Sequence, residues 1–187
     1  MKEVEILVQV FDDKKTVLRK LNRFNFKGIK GTLDVYFYDP KRSNLKPDSK
    51  GSLRECFRLR RKDNKNFIAY KVDNFEKGKW IYSDEHETEV LDFKKAEKII
   101  EHLGLKPLVK IDNKKHTFLT KDYEIVFEEV EGAGFFLEVE KIKVSHKENI
   151  KKAKRDIWNF IKSLDIKTSK ELNIGKPEFI LKLRRTI

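Results

Sequence analysis

The first ten residues alternate. Val4, Ile6, Val8 and Val10 fall on one face and Glu3, Glu5, Leu7 and Gln9 on the other, the period-two pattern of a half-buried strand. The same period returns over residues 31–38, 53–62, 67–72 and 80–90, and in shorter pieces at 108–111, 116–120, 123–129 and 135–144. Three stretches switch to helical spacing. One follows Asp12 or Asp13 and carries Val17, Leu18 and Leu21. One follows Asp92, carries Phe93, Ala96, Ile99, Ile100 and Leu103, and stops at Gly104. The third opens on a capping box, Ser145 to Glu148, and presents Ile150, Ala153, Ile157, Phe160, Ile161 and Leu164 on one side. Short helices are expected after Thr168 or Ser169 and at Pro177. Residues 39–52 read as a basic loop and Asp63 to Asn66 as a hairpin turn. Strands with a few helices between them predict an antiparallel α+β fold or barrel in a single domain, 1–187, rather than a doubly wound parallel sheet.

Composition narrows the class. Of 187 residues 40% are charged and the mean hydropathy is −0.66, yet fourteen Phe and the periodic apolar positions argue for a packed core. Cys56 is the single cysteine, so an internal disulfide is excluded. Neither a signal peptide nor a run long enough to span a membrane is seen, and a soluble cytoplasmic protein is expected. A net charge of +12 and a pI near 9.6 favour polyanionic partners. Lysines interspersed with glutamates also make an ordinary solvated surface, so charge alone selects no function. His86, His102, His116 and His146 lack zinc-site spacing with the cysteine, and no phosphate-binding glycine loop is present.

The chemistry-bearing pattern is a set of like-charged pairs two residues apart: Glu3 and Glu5, Arg58 and Arg60, Glu87 and Glu89, Glu138 and Glu140. On one strand face such pairs repel. A polar concave face resolves this if carboxylates gather around a hard cation and cations around phosphate. Together they suit a metal-bound polyphosphate. Ion pairing across a solvated sheet is the other reading of the same spacing.

The order and spacing of Glu3-x-Glu5, Phe57-Arg-Leu-Arg60, Ala69-Tyr-Lys71, Glu87-Thr-Glu89 and the run from Glu128 through Gly132-Ala-Gly134 to Glu138-Val-Glu140 resemble the CYTH family, the triphosphate tunnel metalloenzymes, over about residues 1–165. That family includes class IV adenylyl cyclases, thiamine triphosphatases and inorganic triphosphatases. The resemblance implies a closed eight-stranded antiparallel barrel, a tunnel with a polar interior and helices packed outside, the C-terminal ones spanning 145–187. It implies Mg2+ or Mn2+ held by Glu3, Glu5, Glu138 and Glu140 with Glu87, Glu89 and Glu128 in support. Arg58, Arg60 and Lys71 would bind the triphosphate of ATP, inorganic triphosphate or thiamine triphosphate, and Glu3, Glu5 and Glu138 would serve catalysis. The length and the C-terminal helices are similar to the class IV cyclase branch, which makes cyclic AMP and pyrophosphate; a triphosphatase and a catalytically degenerate polyanion binder are the alternatives. Related enzymes are often homodimers. Neither a membrane nor a nucleic acid is the expected partner.

Several positions depart from the family pattern. Leu7 stands where the family opens Glu-x-Glu-x-Lys, the Gly-Asp-Phe before the final Glu-x-Glu is Gly134-Phe-Phe136, and the later Lys-x-Arg falls on Asn113-Lys-Lys115, so Lys115 replaces the arginine and Asn113 the lysine, or Lys110 or Lys114 reaches the substrate instead.

Overall fold

One antiparallel sheet takes in every strand among the described residues, which are 2–144 and 149–185 of this computed structural model. In chain order the strands are β1 (Lys2–Glu3), β2 (Glu5–Val10), β3 (Asn25–Tyr38), β4 (Glu55–Lys62), β5 (Lys65–Glu76), β6 (Lys79–Val90), β7 (Lys106–Leu119), β8 (Tyr123–Val130) and β9 (Gly134–Lys141). Their spatial order is β1-β6-β5-β4-β3-β7-β8-β9-β2. The two ends of that order are successive pieces of one chain segment, parted only by Val4. β1 pairs with β6, Glu3 opposite Ser83; β2 pairs with β9, Glu5 opposite Glu140 and Leu7 opposite Glu138. The sheet is therefore strongly curled, and alternation sends one set of side chains to its concave face.

Helices α1 (Lys14–Leu21), α2 (Phe93–His102) and α3 (Ile150–Ser163) pack on the convex face. Asp13 caps α1 and Asp92 caps α2, each accepting a backbone N–H bond at 3.0 Å. The capping box expected at 145–148 lies outside the described residues; Asn149 caps α3, accepting from Lys152 N at 3.1 Å. Val4, Ile6 and Val8 from the first strand meet Ala153, Ile157 and Ile161 of α3, with Phe118, Phe127 and Leu137, in the main core. Each such aliphatic side chain contributes about 1.5–3 kcal/mol on burial.

The C-terminal segment departs from the expected arrangement. Thr168 starts no helix. It bridges Val10, and Ser169 N donates to Gln9 O and Leu172 N to Leu7 O, so this stretch runs extended beside β2. Helix α4 (Lys176–Arg185) then carries the expected Pro177 in its first turn but packs on the concave side: its Ile180 is buried with Leu7, Tyr36, Val109, Ile111, Val130 and Phe136. β7 is one strand where two pieces were expected, because Asn113 at the supposed break is buried and bonded to Thr32 and Glu128.

Candidate functional site

The concave face encloses a cavity of about 220 Å³ lined by side chains from every strand and by the start of α4. Charge is sorted around it. β5, β4, β3 and β7 are neighbours in the sheet and contribute Lys71, Arg58, Arg60, Lys62, Lys30 and Lys115, with Asp73 of β5 an exception beside Ser83. The complementary arc, β8, β9, β2, β1 and β6, contributes Glu124, Glu138, Glu140, Glu5, Glu3, Glu85 and Glu87.

Each major cation is held by a carboxylate. Arg60 forks onto Asp34, Nε to Oδ1 and Nη2 to Oδ2, both at 2.7 Å, and Asp34 is 1% exposed. Two parallel charge-assisted bonds fix the guanidinium plane. They hold the Asp34 carboxyl well below the usual range despite its burial. Arg58 donates to Glu85 at 2.9 Å and to Glu87 at 3.2 Å; its buried Nε has no hydrogen-bond partner among the described residues. Lys71 sits 2.5 Å from Glu3 and 3.0 Å from Glu85. Lys115 lies 3.2 Å from Glu128.

Lys176 completes the set. From the first turn of α4 its Nζ donates to Glu128 Oε1 and to Glu138 Oε2, both at 2.6 Å. Burial disfavours the charge on Lys176, but Glu128 and Glu138 outweigh it and raise its pKa. Burial likewise works against ionising Glu138, yet Lys176 and Lys115 hold its pKa low. Sequence reasoning missed Lys176. One signal was available: a lysine beside Pro177 at a helix start opposes the helix dipole, so it calls for a compensating anion elsewhere. Glu85 was also missed as a site residue, although it continues the pair spacing of Glu87.

The expected site residues are sorted by the same geometry. Glu3, Glu5, Arg58, Arg60, Lys71, Glu87, Lys115, Glu138 and Glu140 all line the cavity. Glu128 is fully buried, with both oxygens engaged by Asn113, Lys115 and Lys176, so it anchors cations rather than offering free ligands. Glu89 falls outside. It shares the face of Glu87, but its strand has run past the mouth, where it pairs with Lys65 in solvent at 2.9 Å. Lys110 also falls outside, exposed on the opposite face of β7 from Lys115, as does Lys114. Leu7 points to the cavity and packs in the apolar cluster under α4.

The acidic arc suits a hard divalent cation, since its donors are all carboxylate oxygens. Glu5 opposes Glu140 in register, and burial, Glu5, Glu138 and Glu124 together push Glu140 up to about 8. Burial and then Glu138 push Glu5 up to about 7. For both, the attraction of Lys71 does not overcome burial and the neighbouring carboxylates. Among the described residues, no three of them already converge as a ready ligand group.

Comparison with known proteins agrees with this geometry. A Methanocaldococcus jannaschii protein named as a candidate adenylate cyclase is 32% identical over 171 residues, 89% of this chain and 91% of that protein. The structure of PH1819 from Pyrococcus horikoshii OT3 superposes with a TM-score of 0.78 at 24% identity, covering 96% of this chain and 99% of that one. HpAC1 from Hippeastrum, described as an adenylyl cyclase candidate with a dominant triphosphatase activity, superposes with a TM-score of 0.65 at 14% identity, covering 98% and 96%. The CYTH domain matches residues 1–173, and with the curled antiparallel sheet and its charge-sorted cavity this places the chain in the CYTH family.

Proposed function

We propose that this protein is a divalent-metal-dependent enzyme acting on the triphosphate chain of a nucleotide inside a closed β-tunnel, in the manner of a class IV adenylyl cyclase. The observation that carries this reading is the division of one cavity into a basic arc and an acidic arc. Closure is supported by the first segment, whose two pieces pair with opposite ends of the sheet. The family implies a divalent cation, and Glu3, Glu5, Glu138 and Glu140 are the residues that would hold it. When bound, it would neutralise phosphate charge and polarise a phosphoryl oxygen.

The protein's own part is positioning and charge. Arg58, Lys71, Lys115 and Lys176 exchange their carboxylate partners for phosphate oxygens, and Arg60, held in plane by Asp34, offers its remaining N–H groups. Charge that builds on the leaving pyrophosphate is then met by groups already in place. Attack of the ribose 3′-hydroxyl on the α-phosphorus forms the cyclic diester and breaks the bond to pyrophosphate. Lys176 delivers into the cavity the cation that Leu7 does not supply.

Triphosphate hydrolysis is the second reading. A cavity of about 220 Å³ is smaller than the roughly 300–1,000 Å³ usual for small-molecule sites. It takes a triphosphate more readily than a whole nucleotide, and the dominant triphosphatase activity of HpAC1 points the same way. Phosphorus NMR of ATP incubated with the protein and Mg2+ or Mn2+ separates the two. Pyrophosphate with a cyclic monophosphate supports the cyclase, and orthophosphate supports the hydrolase. An unchanged spectrum, with tripolyphosphate and thiamine triphosphate equally untouched, leaves a polyanion binder.

A further inference from the structure

We infer that Asp73 is an end stop for the phosphate chain: it limits the length the cavity accepts, admitting a triphosphate and turning away longer polyphosphates. This rests on the triphosphate reading above.

The cavity-facing residues of β4, β5 and β6 fall into levels, because register sets them side by side. Arg60 stands opposite Phe67. One pleat inward, Arg58 stands opposite Ala69, and Ala69 opposite Glu87. At the next level Cys56 stands opposite Lys71, and Lys71 opposite Glu85. One pleat further, Asp73 stands opposite Ser83. Each step is roughly 6–7 Å along a strand. The cations therefore run inward through Arg60, Arg58 and Lys71, and at the level after Lys71 the sign reverses.

Space does not end where these cations do. Cys56, Asp73, Trp80 and Ser83 line the inner end, with Gly175 and Pro177 at the start of α4. A chain longer than the cations hold has room to advance, and what meets it is a carboxylate.

That carboxylate is fixed and uncompensated. Its Oδ1 accepts from the Ser83 hydroxyl at 2.7 Å, and Ser83 accepts from the Trp80 indole N–H at 3.0 Å. The Asp73 backbone N–H donates to Arg54 O at 3.1 Å. Among the described residues Asp73 forms no ion pair, whereas Asp34, Glu85, Glu128 and Glu138 each hold a cation. Burial raises its pKa, and the Ser83 hydroxyl and Lys71 only partly offset this. A carboxylate already short of solvation resists a second anion beside it. The bond to Ser83 needs an acceptor only, which the amide oxygen of Asn would supply equally well. The negative charge is what packing leaves unexplained, and rejection of further phosphate accounts for it.

The test titrates tripolyphosphate and tetrapolyphosphate into wild type, Asp73→Asn and Asp73→Glu by calorimetry with Mg2+ in the cold, and phosphorus NMR of the recovered ligands checks that neither was cleaved. Asn keeps the acceptor for Ser83 and drops the charge; Glu keeps the charge. Wild type should bind tetrapolyphosphate no more tightly than tripolyphosphate, although the longer chain carries more charge. Asp73→Asn should bind tetrapolyphosphate about tenfold more tightly than wild type does, and tripolyphosphate no more than about threefold more tightly, since a charge one pleat away acts most on the group that would touch it. Asp73→Glu should keep the wild-type ranking. Wild type that prefers the longer chain would overturn the stop, as would an Asn variant that shifts both ligands alike or neither. Should the Asn variant not fold, the wild-type comparison and the Glu variant decide: a Glu variant that gains the longer chain overturns the stop. Wild type that binds neither ligand removes the triphosphate reading, and the stop with it.

Discussion

Lys176 and Glu138 meet at 2.6 Å on the concave face although 38 residues separate them in sequence. Glu138 stands opposite Leu7 in the sheet. A cation from the C-terminal helix thus enters the cavity beside the position where the first strand presents a hydrocarbon. The apolar side chain gives α4 a surface to pack on, and the helix brings the charge with it.

Replacing Lys176 by Met keeps the length of the side chain and removes its charge. Glu128 and Glu138 then lose a buried partner, and the fold is expected to lose about 3 kcal/mol. Divalent cation should restore part of this loss, because positive charge returns next to Glu138. Thermal melts of K176M with and without Mn2+ check it: the cation-induced rise in Tm should exceed that of the wild type.

Asp34→Asn breaks the fork that sets the plane of Arg60. Tripolyphosphate affinity is expected to fall about tenfold, the loss of one charge-assisted contact. The pH dependence has a definite sign. The folded carboxyl titrates well below the unfolded one, which lies near about 3.9. The stability that Asp34 contributes is therefore fully present above about pH 4 and is lost as the pH falls through the folded value. Urea unfolding of wild type and D34N between pH 3 and 6, set at about these limits by the same titration range, should show a gap that narrows only at the acid end.

Metal binding should release protons. With Glu140 pushed up to about 8 and Glu5 to about 7, both carry part of a proton at neutral pH that an incoming cation must displace. Affinity for Mn2+ should rise with pH up to the higher of these values. Calorimetry in buffers of different ionisation enthalpy should report about one proton released per ion near neutral pH.

Two neighbour pairs separate cavity from surface. Lys115→Ala should cut turnover strongly while Lys110→Ala leaves it unchanged, since Lys110 is exposed on the other face of β7. Likewise Glu87→Gln, which removes a partner of Arg58, should matter, and Glu89→Gln should not. Steady-state rates with ATP or tripolyphosphate are sufficient to decide both pairs.

Much of this site was legible in the sequence because strand alternation is a strict rule. Once Glu3 and Glu5 share a face, their neighbours in other strands follow from the same period, and Arg58, Arg60, Glu138 and Glu140 fall into place. What alternation does not carry is where a strand leaves the cavity, so Glu89 could not be told from Glu87. Nor does it number the parity of a strand that was read as broken: taking Asp112–Lys115 as a gap in β7 left Lys110 and Lys115 on equal footing. Asn113 reads as a turn residue, and only its burial against Glu128 shows that it continues the strand. Lys176 depends on a tertiary contact between the chain's end and its middle, for which a local pattern holds no information beyond its awkward place at a helix start.

The seat of α4 has a kinetic consequence. On the cyclase reading proposed above, α4 narrows the inner end, and a nucleotide held phosphate-inward would unload in reverse, the cyclic product first and pyrophosphate last. Pyrophosphate would then compete with ATP for the vacant protein, whereas cyclic nucleotide would inhibit without competing.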